Sequence, residues 1–208
     1  MTSVLIVDDH PSLRLILKQQ MSQILGVSQI IEAGNGQEAL QAVRDSEPGL
    51  VILDIDLPKI NGLDAIPRIK LIKPDIRILV ISAQDPRVFA PRVKAAGAQG
   101  YISKVQEMSE ILRATEAVLA GYSIFPDIVR SPVQSREADG SQKIESLSDK
   151  EVIVMQMLAR GMSNKHIGDA LFISNKTVST YKVRLMAKLG VGSLVELVDF
   201  ARKHHIVH

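Results

Sequence analysis

Five short apolar segments alternate with five amphipathic segments over the first 122 residues, and this alternation narrows the choice of fold more than any other feature. The apolar runs lie at 3–7, 29–33, 50–53, 77–82 and 100–103. Helical periodicity fills the intervals, near 12–25, 36–46, 62–71, 87–96 and 107–120. Strict alternation of strand and helix predicts a parallel sheet with helices on both faces. We therefore expect an α/β fold, a doubly wound five-stranded parallel sheet.

Polar side chains stand where these predicted strands end. Asp8 and Asp9 follow the first apolar run, Asp54 follows the third, Ser82 ends the fourth and Lys104 follows the fifth. Doubly wound folds bind ligands outside the carboxyl ends of their strands, so we expect these side chains to converge. Carboxylates at one edge suit Mg²⁺, which prefers oxygen ligands and usually keeps water and phosphate in its shell. Taken singly, each Asp is equally compatible with a helix cap or a solvated turn.

Composition excludes several classes of protein. The 208 residues include no cysteine, which excludes disulfide frameworks and thiol chemistry. The first apolar run, at 4–7, ends in acid, so we expect no signal peptide. No segment reaches the roughly 18 apolar residues of a spanning helix. These features predict a cytoplasmic protein.

Charge is distributed unevenly along the chain. Residues 142–208 contain 10 Lys or Arg against 6 Asp or Glu, whereas the other residues contain 15 against 17. An acidic first part and a basic last part suggest different partners for each. A basic region favours an anionic polymer as its partner.

The apolar period fails after the α/β region, where serine, proline and glycine accumulate. We expect residues 1–122 to form one domain, 123–145 a linker, and 146–208 a second domain. Helix-start signals resume in the last range, at Ser148, Ser163, Ser174 and Ser193. The first and last of these serines are followed three residues later by Glu, as in a capping box. Four short helices predict a small all-α domain.

The carboxylates, serine and lysine at the predicted strand ends resemble the receiver domain of two-component response regulators. The resemblance implies that Asp54 accepts a phosphoryl group from a sensor histidine kinase or a phosphotransfer domain. It also implies Mg²⁺ as the cofactor, held by Asp54 and Asp9, with Asp8 acting largely through water and the backbone carbonyl of Asp56 completing the protein ligands. Phosphoryl transfer depends mainly on positioning and charge neutralisation. Mg²⁺, the Lys104 ammonium and a serine hydroxyl would together give each phosphoryl oxygen a partner.

Three further residues belong to this resemblance. Ser82 would supply the hydroxyl. Tyr101 matches the aromatic residue that changes rotamer in receivers, although a tyrosine in a short strand is equally compatible with simple packing. Val105 stands where receivers commonly have proline, often with a cis peptide bond. A cis bond before a residue other than proline costs about 2.5–4 kcal/mol, so we expect a trans bond here.

Residues 147–207 resemble the LuxR-type helix-turn-helix domain of NarL/FixJ response regulators. The matching segments are Leu147-Ser148, Gly161-Met162-Ser163-Asn164-Lys165 and Ile173-Ser174-Asn175-Lys176-Thr177-Val178. The run at 174–182 is most similar to the virulence-regulator branch of that family. The resemblance implies a phosphorylation-controlled transcriptional regulator that binds double-stranded DNA as a homodimer, with RNA polymerase as a further partner. Such a protein is not an enzyme, although its receiver assists its own phosphorylation and dephosphorylation.

A helix over 174–189 would bury Val178, Leu185 and Leu189 and present the opposite face to the major groove. Cationic side chains would contact phosphates, while hydroxyl and methyl groups would contact base edges. The candidate DNA-binding residues are Lys165, Lys176, Thr177, Ser179, Thr180, Lys182, Val183, Arg184 and Lys188.

Two other functions stay open at the level of the residues. One is an interaction protein whose all-α domain binds protein or RNA under control of phosphorylation. The other is a self-acting enzyme of the phosphatase type, which is disfavoured because no second nucleophile or base is evident in the sequence.

Overall fold

The computed structural model of the protein describes residues 2–127, 137–204 and 206–207. The chain divides into two compact units, Met1–Asp127 and Ile128–His208. Among the described residues, no helix combines the length and the apolar character that crossing a lipid bilayer requires.

The N-terminal unit consists of strands and helices in strict alternation. The strands are β1 (Thr2–Val7), β2 (Val27–Ala33), β3 (Leu50–Leu53), β4 (Arg77–Ser82) and β5 (Gly100–Ser103). The helices are α1 (Pro11–Met21), α2 (Gly36–Ser46), α3 (Gly62–Ile72), α4 (Pro86–Ala95) and α5 (Met108–Leu119). The strands pair in parallel in the order β2-β1-β3-β4-β5. The predicted doubly wound five-stranded parallel sheet is confirmed.

The two central strands, β1 and β3, carry the core of this unit. Residues 4–7 and 50–53 are almost completely buried, because helices cover both faces of the sheet. Val7 pairs with Leu53, and the amide of Asp54 donates to the carbonyl of Val7 at 2.9 Å. This register places Asp8 and Asp54 side by side at the carboxyl ends of their strands.

The first helix is shorter than its predicted range of 12–25, because α1 ends at Met21. The hydroxyl of Ser22 donates to the carbonyl of Gln19 at 2.7 Å, and the chain then turns through Gly26 at a φ of 93°. Leu25 is 98% exposed. The predicted helix was too long because Leu25 fits the apolar period, although it lies in a surface turn. Periodicity alone does not show which apolar side chains are buried.

The C-terminal unit consists of helices. They are α6 (Glu137–Glu145), α7 (Asp149–Ala159), α8 (Asn164–Leu171), α9 (Asn175–Leu189) and α10 (Leu194–Lys203). The last four begin where the sequence predicted, since each predicted cap serine accepts the backbone N–H three residues further on. Before α7 the capping box is complete. Before α10 the carboxylate of Glu196 accepts instead from the N–H of Gly192.

Helix α6 was not predicted. The expected linker spans 123–145, of which residues 128–136 lie outside the described residues, and residues 137–145 form this helix. Ile144 is buried and α6 packs against α9. A Cβ atom at Gly140 would lie 2.1 Å from the ring of His204, so glycine permits the close approach of α6 to the end of α10. One apolar side chain and one glycine are too weak a periodic signal to predict this helix.

Candidate functional site

Two buried carboxylates and one lysine meet at the carboxyl edge of the sheet. Asp8 follows β1, Asp54 follows β3 and Lys104 follows β5. The ammonium Nζ of Lys104 lies 2.6 Å from Oδ2 of Asp8 and 2.7 Å from Oδ2 of Asp54. Asp54 is only 2% exposed, whereas Asp9 is exposed beside it. The structure thus brings together side chains that lie up to 96 positions apart, from Asp8 to Lys104.

The electrostatics of this cluster keep both Asp54 and Lys104 charged at neutral pH. Burial raises the pKa of Asp54 to about 6, although the Lys104 ammonium opposes this rise. Burial alone would lower the pKa of Lys104, but the carboxylates of Asp54 and Asp8 outweigh it, and the pKa lies above its usual value. At neutral pH the site therefore holds an ionised aspartate beside a lysine cation.

The same cluster has the donor atoms of a metal site. Oxygen atoms of Asp8, Asp9 and Asp54 and a ring nitrogen of His10 all lie within 4.8 Å of one another. Oδ1 of Asp54 is buried without a hydrogen-bond partner among the described residues. A buried anionic oxygen in that state is costly, and a cation beside it removes the cost. The carboxylate set therefore fits a hard dication.

His10 is a member of this cluster that sequence reasoning missed. Its Nδ1 lies 2.7 Å from Oδ1 of Asp9 and 3.1 Å from Oδ1 of Asp8, and its backbone N–H donates to Asp8. Mg²⁺ favours oxygen ligands, so an imidazole was not expected beside the carboxylates. The only available signal was its position directly after two aspartates.

A buried glutamine connects the other predicted residues of the site. Ser82 ends β4, and its Oγ accepts the backbone N–H of Gln84 at 3.2 Å. The hydroxyl of Tyr101 donates to the carbonyl of Gln84 at 2.6 Å, and the side-chain amide of Gln84 donates to Asp56. Tyr101 is buried, which raises the pKa of its hydroxyl and keeps the proton on it. Sequence reasoning missed Gln84, because nothing but its position two residues after Ser82 marks it.

Lys104 reaches the carboxylates of the site although valine, and not proline, follows it at position 105. The described residues contain no cis peptide bond, so the bond between Lys104 and Val105 is trans, as expected. The backbone N–H of Lys104 donates to the carbonyl of Ser82 at 2.9 Å, while Val105 is 85% exposed. The hydrogen bond between β4 and the end of β5 directs the lysine towards the carboxylates without a proline.

In the C-terminal unit, α9 buries one face and exposes the other. Val178, Leu185 and Leu189 are buried, as predicted. A shallow groove lies on the surface of this helix, lined by Ser174, Lys176, Thr177, Thr180, Tyr181 and Arg184. The turn from α8 to α9 is tight, because a Cβ atom at Gly168 would lie 2.7 Å from the carbonyl oxygen of Ile173. The two helices therefore form a compact helix-turn-helix.

Apart from Lys188, the predicted DNA-binding residues fall into two groups in the structure. The exposed ones are Lys165 on α8 and Lys176, Thr180, Val183 and Arg184 on α9. Thr177, Ser179 and Lys182 are half-buried, and Oγ of Ser179 accepts from the side-chain amide of Asn164 at 3.1 Å. Tyr181, which lines the groove, was not predicted, because its spacing on the helix did not separate it from a packing residue.

Lys188 is engaged within the unit itself. Its Nζ lies 2.7 Å from Oε2 of the buried Glu151 and donates to the carbonyl of Ser146 at 3.0 Å. The ion pair joins α7 to α9 and lowers the pKa of Glu151 against the effect of burial. A phosphate contact by Lys188, which stays a prediction, would have to compete with this ion pair.

Comparison with known proteins identifies both units. The response regulator receiver domain family matches residues 4–116, and the family described as bacterial regulatory proteins, luxR family, matches residues 145–201. The chain belongs to the LuxR-type response regulators. The predicted family is thereby confirmed, and the receiver and helix-turn-helix units of this response regulator are the two units of the structure.

Individual relatives of this response regulator extend over the whole chain. A protein of Pseudomonas aeruginosa that carries the name transcriptional regulator is 49% identical over 208 residues, which is 100% of each chain. BvgA of Bordetella pertussis, named as a transcription regulator of virulence factors, is 43% identical over 205 residues and 98% of each chain. RcsB of Salmonella enterica serovar Typhimurium, solved bound to a promoter with a phosphomimetic, is 25% identical with a TM-score of 0.59, over 96% of this chain and 97% of that one.

Proposed function

We propose that this LuxR-type response regulator is phosphorylated on Asp54 and that the phosphoryl group controls its dimerisation and its binding to promoter DNA in the cytoplasm. The observation that carries the proposal is the state of the Asp54 carboxylate. One oxygen is held 2.7 Å from the Lys104 ammonium, and the other is buried without a hydrogen-bond partner among the described residues. A carboxylate in this state is oriented by Lys104 and still has an oxygen open to a ligand at the edge of the sheet where such folds bind ligands.

The donor is a phosphohistidine of a sensor kinase or a phosphotransfer domain. A carboxylate oxygen of Asp54 attacks the phosphorus, an O–P bond forms, the N–P bond breaks, and the histidine nitrogen takes up a proton. The Lys104 ammonium neutralises one phosphoryl oxygen, and the Ser82 hydroxyl donates to a second. The same groups neutralise the phosphoryl oxygens when water later hydrolyses the acyl phosphate, so the receiver assists its own dephosphorylation.

Mg²⁺ is the proposed cofactor of this step. Asp54, Asp9 and the backbone carbonyl of Asp56 would bind it directly, and Asp8 largely through water. When bound, it supplies charge neutralisation for the remaining phosphoryl oxygen. The orphaned oxygen of Asp54 supports this assignment, since a cation would satisfy it.

DNA binding is proposed for α9, with its exposed face in the major groove. Phosphate contacts come from Lys165, Lys176, Lys182 and Arg184, and base contacts from Thr177, Ser179, Thr180 and Val183. The RcsB complex with promoter DNA supports this arrangement by its similarity to the chain.

Leu194 and Val195 on α10 are exposed and apolar, which supports α10 as the homodimer surface. RNA polymerase is the proposed further partner at the promoter.

Footprinting with full-length protein tests this proposal. On genomic fragments, we expect pairs of protected half-sites about one helical turn apart, at about 10 base pairs centre to centre. Treatment with acetyl phosphate and Mg²⁺ should give the same protection at lower protein concentration. Absence of paired protection in both states would instead favour an all-α unit that binds protein or RNA.

The affinity for Mg²⁺ is expected to depend on pH through Asp54. The pKa of this group is raised to about 6, so below that pH a proton must leave before the cation binds. We expect the Mg²⁺ affinity to be nearly constant above pH 7 and to fall about tenfold per pH unit below pH 6. The folded receiver also holds this proton more tightly than the unfolded chain does. The proton therefore stabilises the metal-free fold at low pH, and this contribution to the free energy of unfolding is lost as the pH rises through about 6. Titration calorimetry between pH 5 and 8 measures the effect, and a flat profile would contradict it.

The salt dependence of DNA binding separates phosphate contacts from structural lysines. Lys182→Ala should weaken binding to all sequences alike and reduce the slope of log K against log salt by about 1. Lys188→Ala is the matched control. It breaks the ion pair with Glu151, so it should lower the stability of the C-terminal unit but leave the salt slope unchanged. If Lys182→Ala leaves both affinity and slope as they were, α9 binds DNA in another orientation.

A further inference from the structure

Asn164 holds the hydroxyl group of one residue that we assign to base contacts. It is the first residue of α8, and its side-chain amide donates to Oγ of Ser179 on α9 at 3.1 Å. Both residues are half-buried, so this bond lies where the two helices of the helix-turn-helix meet. Among the described residues, none accepts the proton of the Ser179 hydroxyl.

The hydroxyl of the next residue, Thr180, is bonded in the opposite sense. It donates to the carbonyl of Lys176, one turn earlier in α9, at 3.0 Å. A hydroxyl group has one proton to donate and two lone pairs with which to accept. Thr180 therefore uses its proton inside the helix, whereas Ser179 accepts inside the unit and keeps its proton free.

This difference determines what each hydroxyl offers to a base. Hydrogen bonds in a chain polarise one another, so a hydroxyl that accepts becomes a stronger donor and one that donates becomes a stronger acceptor. Without such contacts, serine and threonine read bases ambiguously, because their hydroxyls can bond to the donors and the acceptors of a base edge alike. The contacts of Ser179 and Thr180 give these two neighbours opposite polarity.

We propose that Asn164 is a positioning residue for sequence recognition, which fixes the Ser179 hydroxyl as a donor to an acceptor atom of a base. Thr180 instead presents lone pairs to an amino group of a base. In the major groove the acceptors are O6 and N7 of guanine, N7 of adenine and O4 of thymine, and the amino groups are those of adenine and cytosine. The inference rests on the proposed DNA binding by α9. It adds a residue outside α9 that determines which bases this helix selects.

Asn164→Asp is expected to reverse the polarity of Ser179. A carboxylate only accepts hydrogen bonds, so the Ser179 proton turns towards it and only lone pairs are left for the DNA. Helix α8 keeps its cap, because Oγ of Ser163 accepts from the backbone N–H of His166 at 3.2 Å. An acidic side chain in the first turn also interacts favourably with the helix dipole, so the variant should fold.

Selection from a library of random double-stranded DNA measures the preference at each base pair. The full-length protein is treated with acetyl phosphate and Mg²⁺, and the bound DNA is sequenced. Ser179→Ala locates the base pair that Ser179 contacts, and Thr180→Val, which keeps a methyl group, locates the pair that Thr180 contacts. At the Ser179 pair, Asn164→Asp should reduce the wild-type preference at least about fivefold and favour a different base pair. The preference at the Thr180 pair should not change.

Asn175→Asp is the matched control. Asn175 is the first residue of α9, as Asn164 is of α8, and it is exposed. Both substitutions add one negative charge near the DNA phosphates, so both should lower the affinity for all sequences alike. Only Asn164→Asp should change the preferred base pair. If Asn164→Asp loses its helical circular dichroism, Asn164→Ala, which removes the donor alone, must weaken the preference at the same pair.

Failure of the proposed function and failure of this inference give different results. If the wild-type protein enriches no sequence, the DNA binding proposed for α9 is wrong. If it enriches a sequence and Ser179→Ala changes no position, Ser179 does not contact a base and the inference is overturned. An unchanged preference at the Ser179 pair in the folded Asn164 variant also overturns it, because the Asn164 amide then does not orient the Ser179 hydroxyl.

Discussion

Asp54→Asn is expected to abolish phosphorylation of this response regulator completely. The amide of asparagine has nearly the shape of the carboxylate but lacks the anionic oxygen that attacks phosphorus. The fold should persist, because the substitution also removes the desolvation of a buried charge, which raises the pKa of Asp54 to about 6. Incorporation of an acid-labile, hydroxylamine-sensitive phosphoryl group from acetyl phosphate is the measurement.

Asp45→Asn is the control for this experiment. Asp45 is an exposed residue of α2 that accepts from Gln41, and its substitution should leave labelling unchanged. Full labelling of the Asp54→Asn protein would remove Asp54 as the acceptor. It would transfer the role to another carboxylate of the cluster, Asp8 or Asp9.

Gly62→Ala is expected to damage both the stability of the receiver and its reaction with phosphoryl donors. A Cβ atom at Gly62 would lie 2.0 Å from the carbonyl oxygen of Asp54 and 2.8 Å from the Cα of Ile55. Both are backbone atoms, and the N–H of Gly62 donates to the carbonyl of Ile55 at 2.9 Å, so α3 cannot move away freely. We expect a loss of about 3 kcal/mol in the free energy of unfolding. Phosphorylation should slow as well, because the strain falls on the backbone of Asp54.

Chemical unfolding of the full-length protein, followed by a probe in the receiver, measures this loss. Gly34→Ala is the matched control in a loop of the same unit. Its added Cβ would meet no atom closer than 3.5 Å, so the change in stability should stay within about 0.5 kcal/mol. A Gly62→Ala protein as stable as the Gly34→Ala protein would contradict the close packing of α3 against the strand end.

Much of the receiver fold was predictable from the sequence because its determinants are local or repeat along the chain. Residues 50–53 form an unbroken apolar run, since a strand covered on both faces needs no alternation. The carboxyl ends of parallel strands share one edge, so Asp8, Asp54 and Lys104 could be placed together without knowing any distance. The first residues of the helices were equally predictable from the sequence. The cap serine and the amide that it binds are only three residues apart, as at Ser174.

Other features depend on contacts between residues far apart in the chain, and the sequence carries no local signal for them. Helix α6 can approach His204 closely because Gly140 has no side chain, and His204 lies 64 positions later. The ion pair of Lys188 with Glu151 joins residues 37 positions apart, so the sequence alone did not indicate it. Gln84 became a functional candidate only through its bonds to Asp56 and Tyr101.

The family, the doubly wound sheet and the helix-turn-helix could therefore be predicted from the sequence alone, because apolar periodicity, helix caps and strand ends are properties of neighbouring residues. Asp54 stays the predicted phosphoacceptor. The tertiary structure decided which polar side chains serve the site and which serve the fold. Burial and the geometry of hydrogen bonds make that choice. Both depend on the partners that folding brings to each side chain.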